Sequence, residues 1–223
     1  MKTSDDVFDL QRSEMVRDQI AARGIRDERV LEAMRHVPRH MFVPESEREA
    51  AYEDRPLPIG AAQTISQPYI VAYMTEVLQL PAEGARVLDV GTGSAYQAAV
   101  LSAVATAVYS VEIVPRLAER AQALLAELGL SNVEIAVRDG FSGWPEHAPY
   151  DGILVAAAAD KVPEALLNQL RPGARLVMPV GSLHWQHLVL VTRDLNGEDW
   201  TEEELLPVSF VPMTGRARRH RSD

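Results

Sequence analysis

The chain has 223 residues, of which 47% are hydrophobic and 24% are charged, and this balance favours a packed domain over a disordered chain. Its 22 basic and 32 acidic residues give a formal net charge of −10, so we expect no nucleic-acid partner. The absence of cysteine excludes disulfides, thiolate catalysis and cysteine-ligated metals. With no signal peptide or membrane-spanning run in the sequence, we expect a cytoplasmic protein without a membrane partner.

Residues 1–80 predict a helical extension followed by a segment that covers the substrate. Apolar residues at helical spacing predict two short helices within 13–37. Residues 44–68 contain four prolines, and we expect an irregular segment there. Ser66 is expected to open the next helix as its N-cap, with Pro68 in the first turn.

Residues 81–215 alternate between strands and helices, which is typical of βαβ units in a parallel sheet. We expect an α/β fold with a doubly wound, seven-stranded, mostly parallel sheet and an antiparallel hairpin at one edge. The predicted strands are 85–90, 106–112, 132–137, 150–157, 174–180, 187–192 and 204–211.

Three helices are predicted between these strands. One covers 95–104, one begins at Pro115, and one runs from 160 through Leu170 until Pro172-Gly173 stops it. The basic cluster at 216–223 is expected to be a solvated terminus rather than a binding element.

The turn after the first core strand reads Asp89-Val90-Gly91-Thr92-Gly93-Ser94-Ala95-Tyr96. In a doubly wound sheet, ligands bind beyond the carboxyl ends of the central strands. The dinucleotide fingerprint needs glycine or alanine where this chain has Tyr96, and a carboxylate at Asp89 would repel a pyrophosphate. An acidic group here instead favours a cationic ligand without phosphates, such as S-adenosylmethionine. A nicotinamide oxidoreductase is correspondingly disfavoured.

Two more acidic residues follow the next two strands. Glu112 ends the second strand, where a carboxylate can accept both ribose hydroxyls of a nucleoside. Asp139-Gly140 follows the third strand, where the carboxylate could accept from an adenine amino group. Acids and glycines at the ends of three consecutive strands together predict a nucleoside cofactor.

The acceptor of the methyl group is less clear from the residues. No obvious general base stands near the strand ends, and this weakly favours a carboxylate acceptor, which is already ionised at neutral pH. His184 and His187 read as polar residues at a strand edge, so no metal site is predicted.

Several segments resemble the protein-L-isoaspartate (D-aspartate) O-methyltransferase family. They include TISQP at 64–68, VLDVGTGSAYQAAVLS at 87–102 and GWPE at 143–146, and the similarity runs from about Met15 to Val211. The resemblance implies the Rossmann-like fold of S-adenosylmethionine-dependent methyltransferases. It also implies methylation of the α-carboxylate of L-isoaspartyl and D-aspartyl residues in damaged proteins and peptides. The ester would then cyclise to a succinimide, with S-adenosylhomocysteine as the other product.

The family's active-site serine falls on Ser66, whose hydroxyl would orient the acceptor carboxylate. We expect the cofactor to contact residues from the covering segment and from the strand ends. These are Thr64, Ile65, Ser66, Asp89, Gly91, Thr92, Gly93, Ser94, Glu112, Asp139 and Gly140. We expect the peptide substrate to contact Ile59, Gln63 and Ser66. The enzyme is expected to act as a monomer.

The chain departs from the family pattern at four positions. Ala62 and Ala95 stand where the family usually has glycine, Arg138 where glycine is common, and Ala156 where threonine is common. If the backbone at Ala95 has a positive φ, alanine costs about 1–2 kcal/mol there. Two alternatives therefore stay open: a methyltransferase for another carboxylate, or a cofactor-binding protein without turnover.

Overall fold

The computed structural model describes residues 4–182 and 184–215. The predicted basic tail at 216–223 lies outside the described residues. Within the described residues, no helix has the length and apolar character needed to cross a membrane. The division of the chain at residues 80 and 215 stays a prediction.

The N-terminal extension is helical, but its first helix starts earlier than predicted. Helix α1 (Ser4–Glu14) continues into a π-helical segment (Met15–Ile20) and a 3₁₀ turn (Ala21–Arg23), and α2 (Glu28–His36) follows. The periodicity missed the start of α1 because its apolar residues Val7 and Leu10 are 42% and 48% exposed. Asp27 caps α2 by accepting from the Arg29 N–H at 2.8 Å.

The predicted irregular segment contains a short β-hairpin. Strands β1 (Leu57–Gly60) and β2 (Gln63–Ile65) pair antiparallel, with Leu57 opposite Ile65. The prediction was wrong because the usual hairpin sequence is absent. Ala61 and Ala62 turn the chain with φ values of 51° and 54°, a conformation that asparagine and glycine normally supply.

The central sheet has the seven strands that were predicted. They are β3 (Arg86–Val90), β4 (Ala107–Glu112), β5 (Val133–Val137), β6 (Tyr150–Val155), β7 (Leu170–Ser182), β8 (Trp185–Arg193) and β9 (Trp200–Val208). Their order is β5-β4-β3-β6-β7-β8-β9. Strands β3 to β7 are parallel, whereas β8 is antiparallel to both β7 and β9. The order reverses at β3, which places a ligand-binding crevice at its carboxyl end.

Helix α3 (Pro68–Val77) precedes β3, and three helices lie between the strands: α4 (Tyr96–Ser102), α5 (Pro115–Glu127) and α6 (Glu164–Leu167). Helix α6 is shorter than predicted, because Leu170 already pairs with Tyr150 as the first residue of β7. The Pro172-Gly173 pair therefore lies inside a strand, next to a register shift, instead of ending a helix. Sheet pairing overrides the local helical signal here.

The last strand was predicted at 204–211 but spans Trp200–Val208. It is an edge strand, and its residues 200–204, three of them glutamates, are exposed. Charged edge residues carry no apolar alternation, which explains the displaced prediction. The chain leaves the sheet after Val208 and crosses the carboxyl ends of the central strands.

Apolar layers cover both faces of the sheet, as the α/β architecture requires. On one face the N-terminal extension, α3, α4 and α5 bury a common core that includes Met34, Val71 and Leu101. On the other face α6 and the loop around Trp144 pack against β6 and β7. The N-terminal extension is thereby built into the same core as the sheet.

Alanines in the left-handed region offer a direct test of backbone strain. Ala62 is exposed at φ 54°, whereas Ala95 is fully buried at φ 69°. We expect Ala62→Gly to raise the free energy of unfolding by about 1 kcal/mol, because glycine adopts this conformation without steric cost. Ala95→Gly should raise the free energy of unfolding by less, because this substitution also removes a buried methyl group.

Urea unfolding of both variants and of the unmodified protein measures this difference. An Ala62→Gly variant no more stable than the unmodified chain would contradict the assignment of strain to that turn.

Candidate active site

Two adjoining depressions lie at the carboxyl ends of the central strands. The first, here called the glycine cleft, is formed mainly by the β2 strand, the loop after β3, the end of β4 and the C-terminal segment. Its lining residues are 63–66, 71, 90–94, 96–97, 111–114, 140, 156–157 and 211–214. The second, here called the α3 groove, is lined by Pro56, Thr64, Ser66, Gln67, Ile70, Ala156 and 207–211.

The loop after β3 bends sharply at its glycines, as predicted. Gly91 and Gly93 have φ values of 97° and 53°. A side chain at Gly91 would approach Ala156, whose Cβ lies 3.6 Å from the ideal Cβ position. At Gly140 a Cβ would lie 2.4 Å from Val90 Cγ1, so only glycine fits there. The cleft wall is therefore made of backbone that a ligand can approach closely.

Four of the backbone N–H groups in this loop already have partners within the protein. Those of Gly91 and Thr92 donate to the Val111 carbonyl, at 2.9 and 3.2 Å. The Gly93 N–H donates to Glu112 Oε2 at 2.8 Å, and the Ala95 N–H to the Thr92 carbonyl. A pyrophosphate site needs such groups free. The loop therefore suits a ligand without phosphates, as the sequence predicted.

Glu112 stands at the centre of the cleft wall. Besides the bond from Gly93, its Oε1 accepts from the Val114 N–H at 2.9 Å, and the residue is 6% exposed. A carboxylate has about four lone-pair positions, so two hydrogen bonds leave capacity for ligand hydroxyls. The predicted contact with the ribose hydroxyls is compatible with this geometry.

Asp89 lies beneath the cleft instead of in its wall. It is fully buried, and its Oδ2 accepts from the Ser110 hydroxyl at 2.7 Å. The Ser110 oxygen is 2.6 Å from Thr92 Oγ1, which makes a buried chain of three polar groups under the loop. The direct contact with a ligand ammonium expected at Asp89 is thus replaced by support of Thr92, which does line the cleft.

The charge state of Asp89 is unusual because of this position. Burial raises the pKa of the carboxyl to about 7, the Ser110 hydrogen bond counteracts part of this rise, and the nearby charge of Glu112 adds to it. Its Oδ1 atom is buried and has no hydrogen-bond partner within the described residues. The carboxyl therefore carries a proton over part of the neutral pH range.

Asp139 is also placed differently from the prediction. Its carboxylate accepts from the Phe141 N–H at 3.1 Å and caps the 3₁₀ turn Gly140–Ser142. Gly215 packs against it so closely that an added Cβ would lie 2.6 Å from Asp139 Oδ2. The neighbouring Gly140, and not Asp139, lines the glycine cleft.

Ser66 does not cap α3. The N-cap residue is Gln67, and no side chain caps this helix. Among the described residues, none forms a hydrogen bond with the Ser66 hydroxyl, and the residue lines both the glycine cleft and the α3 groove. The N-cap role expected at Ser66 is therefore wrong, because the helix begins one residue later than that role requires.

The other residues of the covering segment divide between the two depressions. Thr64 lines both, Ile65 lines the glycine cleft, and Gln63 lines the glycine cleft instead of the α3 groove. Ile59, expected near the substrate, lies outside both and sits behind the loop, its Cδ1 atom 3.5 Å from the ideal Cβ position of Gly93. The alternation of β1 turns Ile59 toward the core, where it is 3% exposed.

Four residues line both depressions: Thr64, Ser66, Ala156 and Val211. We call this set the shared wall. Ala156 and Val211 were not predicted as site residues. Val211 begins the C-terminal segment 211–214, which crosses the cleft and is fastened by two hydrogen bonds of the Ala158 backbone to Val211 and Met213. The sequence signal for this segment is the apolar run that continues past the end of β9.

Two of the sequence departures lie away from the site. Arg138 forms a bidentate ion pair with Glu146 at 2.7 and 2.8 Å, and it does not line either depression. Ala62 is exposed in the hairpin turn. Neither residue reshapes the pocket, so neither supports a change of substrate. Among the described residues, no group of three metal-ligating side chains is found.

Comparisons with known proteins show which family the chain belongs to. The sequence profile of the protein-L-isoaspartate(D-aspartate) O-methyltransferase family matches residues 10–218. The chain belongs to this family.

A protein-L-isoaspartate O-methyltransferase from Synechococcus sp. (strain JA-2-3B'a(2-13)) is 54% identical over 215 residues, which cover 93% of this chain and 87% of that protein. The chain is thus an enzyme, a methyltransferase that uses S-adenosylmethionine and acts on isoaspartyl residues of proteins.

Solved structures support the fold. One named protein-L-isoaspartate O-methyltransferase superimposes with a TM-score of 0.85 at 30% identity, over 94% of this chain and 69% of that chain. A Plasmodium falciparum protein named as a β-aspartate methyltransferase, solved in complex with S-adenosyl-L-homocysteine, gives a TM-score of 0.78 at 24% identity. The match covers 92% of this chain and 98% of the Plasmodium chain. The predicted Rossmann-like methyltransferase fold is confirmed.

Asp89 allows a test that needs no substrate. Its pKa is higher in the folded chain than in the unfolded chain, so the folded state holds more protons between about pH 4 and pH 7. The contribution of Asp89 to the free energy of unfolding therefore falls as the pH rises through this range. Asp89→Asn lacks this titrating group. From pH 5 to pH 8, we expect the difference in free energy of unfolding between the two proteins to shift in favour of the variant by on the order of 2 kcal/mol.

Urea unfolding of the two proteins at pH 5 and pH 8 gives this difference directly, because all other groups titrate in both. Equal pH dependence in the two proteins would show that the Asp89 carboxyl ionises normally in the folded state.

Proposed function

We propose that this enzyme transfers a methyl group from S-adenosylmethionine in the glycine cleft to the α-carboxylate of an isoaspartyl or D-aspartyl residue in the α3 groove. The observation that carries this proposal is the shared wall of Thr64, Ser66, Ala156 and Val211. Donor and acceptor in the two depressions would meet at this wall. The ester formed would leave the enzyme and cyclise to a succinimide.

The ionisable residues of the site fit a carboxylate acceptor. Within the described residues, Glu112 and Tyr96 are the only titratable groups that line either depression. Glu112 is held by two backbone N–H groups, and burial raises the pKa of Tyr96 far above neutrality. Tyr96 therefore keeps its proton at pH 7 and cannot act as a general base, while Glu112 holds the loop of the glycine cleft. A carboxylate acceptor has no proton to lose at neutral pH, so the reaction requires no general base.

The start of α3 supplies favourable partners for an anion. Gln67 caps the helix without a side-chain bond, so the first backbone N–H groups of α3 have no partner within the helix. Gln67 and Ile70 line the α3 groove beside Ser66. A carboxylate here would receive the Ser66 hydroxyl as a donor together with the positive end of the helix dipole. Ser66 would thus orient the acceptor oxygen and would not itself be methylated.

The donor would be held by the groups that shape the glycine cleft. Bound S-adenosylmethionine supplies the methyl group on a cationic sulfur, and transfer forms one C–O bond as one C–S bond breaks. Glu112 would accept from the ribose hydroxyls, and the Gly91–Gly93 backbone would lie against the methionine part. Positioning of donor and acceptor in line can account for most of the rate in such a displacement.

A paired-peptide assay tests the proposed acceptor. The protein is incubated with methyl-labelled S-adenosylmethionine and an isoaspartyl peptide, and in parallel with the aspartyl peptide of the same sequence. We expect base-labile label in the isoaspartyl peptide alone. Equal labelling of both peptides would contradict the proposal.

Ser66→Ala tests the role of the hydroxyl. We expect kcat for the isoaspartyl peptide to fall by about tenfold or more, because a hydrogen bond to a charged group is lost. The dissociation constant for S-adenosylhomocysteine should change less than about twofold, a modest change on the free-energy scale. Ser131→Ala, an exposed serine far from the site, is the control. Unchanged kcat in Ser66→Ala would remove Ser66 from the mechanism.

Glu112→Gln tests how the donor is held. The amide would present N–H groups to backbone N–H groups, so the loop loses an acceptor and the ribose loses a charged partner. We expect the dissociation constant for S-adenosylhomocysteine, measured by calorimetry, to rise by at least about tenfold. Affinity equal to that of the unmodified protein would place the ribose elsewhere.

A further inference from the structure

Gln186 binds the backbone of Phe210 at both of its polar groups. The Phe210 N–H donates to Gln186 Oε1 at 2.7 Å, and Gln186 Nε2 donates to the Phe210 carbonyl at 3.2 Å. Gln186 lies in β8 opposite Val208, the last residue of β9, and is 4% exposed. One buried amide thus replaces the strand partner that Phe210 lacks after the chain leaves the sheet.

The segment that this amide holds forms one side of the α3 groove. Residues 207–211 line the groove, and Val211 belongs to the shared wall. Further along, Val211 and Met213 are fastened by the backbone of Ala158, at 2.9 and 2.7 Å. Gln186 therefore holds Phe210, which lines the α3 groove. Ala158 holds Val211 and Met213, which line the glycine cleft.

We propose that Gln186 is a positioning residue for the acceptor: it fixes the 208–211 wall of the α3 groove at the distance from Ser66 that the peptide requires. The inference rests on the proposed function, because it takes the α3 groove as the peptide site. Gln186 touches neither substrate nor cofactor, and it acts through the backbone of Phe210.

Removal of the amide should separate peptide binding from cofactor binding. In Gln186→Met, which preserves side-chain length and packing, both hydrogen bonds are lost. We expect KM for the isoaspartyl peptide to rise about tenfold, while kcat changes less than about threefold. The dissociation constant for S-adenosylhomocysteine should stay within about twofold, because Ala158 still holds residues 211–213.

The chain offers a closely matched control in Gln169. It is also buried, at 6% exposed, and it also binds a loop with both ends of its amide. Its Oε1 accepts from the Trp144 N–H at 2.8 Å, and its Nε2 donates to the Ser142 carbonyl at 2.9 Å. Gln169 lines neither depression, so Gln169→Met should leave the peptide KM unchanged.

Hydrogen exchange gives a second readout that does not depend on activity. The Phe210 amide should exchange at least about tenfold faster in Gln186→Met, whereas the amides of Ala158 and Met213 should not change. If the methionine variant fails to fold, Gln186→Asn takes its place. It keeps a polar amide but is one methylene shorter and cannot reach both groups of Phe210, so it should raise KM as well.

The outcomes separate this inference from the proposed function. A peptide KM unchanged in Gln186→Met, or raised equally in Gln169→Met, overturns the positioning role. An equal loss of peptide and cofactor affinity overturns it too, because that result indicates general destabilisation. If Ser66→Ala also leaves isoaspartyl methylation unaffected, the assignment of the α3 groove itself has failed.

Discussion

Glu112 accepts hydrogen bonds from the backbone N–H groups of Gly93 and Val114, and the shape of the whole site depends on this pairing. It joins the loop after β3 to the end of β4, and both line the glycine cleft. It also occupies a loop N–H group that would otherwise attract a phosphate. A single carboxylate thereby sets both the position of the loop and the kind of ligand that the loop accepts.

The second requirement is a place where donor and acceptor can touch. The four shared-wall residues come from three distant parts of the chain: the β2 strand with the turn after it, the end of β6 and the segment after β9. The first part is held by hairpin pairing and the second by the sheet, and the third is fastened by Gln186 and by Ala158, which follows the second part in the chain. Transfer of a methyl group needs positioning more than acid–base chemistry, and these interactions fix the positions of the residues around the transfer point.

The sequence predicts the sheet well, and it places the glycine loop and Glu112 at strand ends, because these features depend on local signals. Alternating apolar runs indicate strands, and the glycines with Glu112 follow directly from strand ends. What it missed depends on contacts between distant residues. Leu170 has a helical sequence context, but it pairs with Tyr150 in the sheet. Asp89 has the sequence context of a ligand-binding residue, but it is buried and accepts a hydrogen bond from Ser110. Residues Ala156 and Val211 carry no chemical signature, so only the packed chain reveals their place.

The glutamates of β9 have a consequence for an enzyme that acts on isoaspartyl residues of polypeptides. An unprotected strand edge can pair with the backbone of any extended peptide, whether or not the peptide carries the altered residue. The row of exposed negative charges at 202–204 discourages such pairing. Selection for the altered residue would then fall to the acceptor site proposed in the α3 groove.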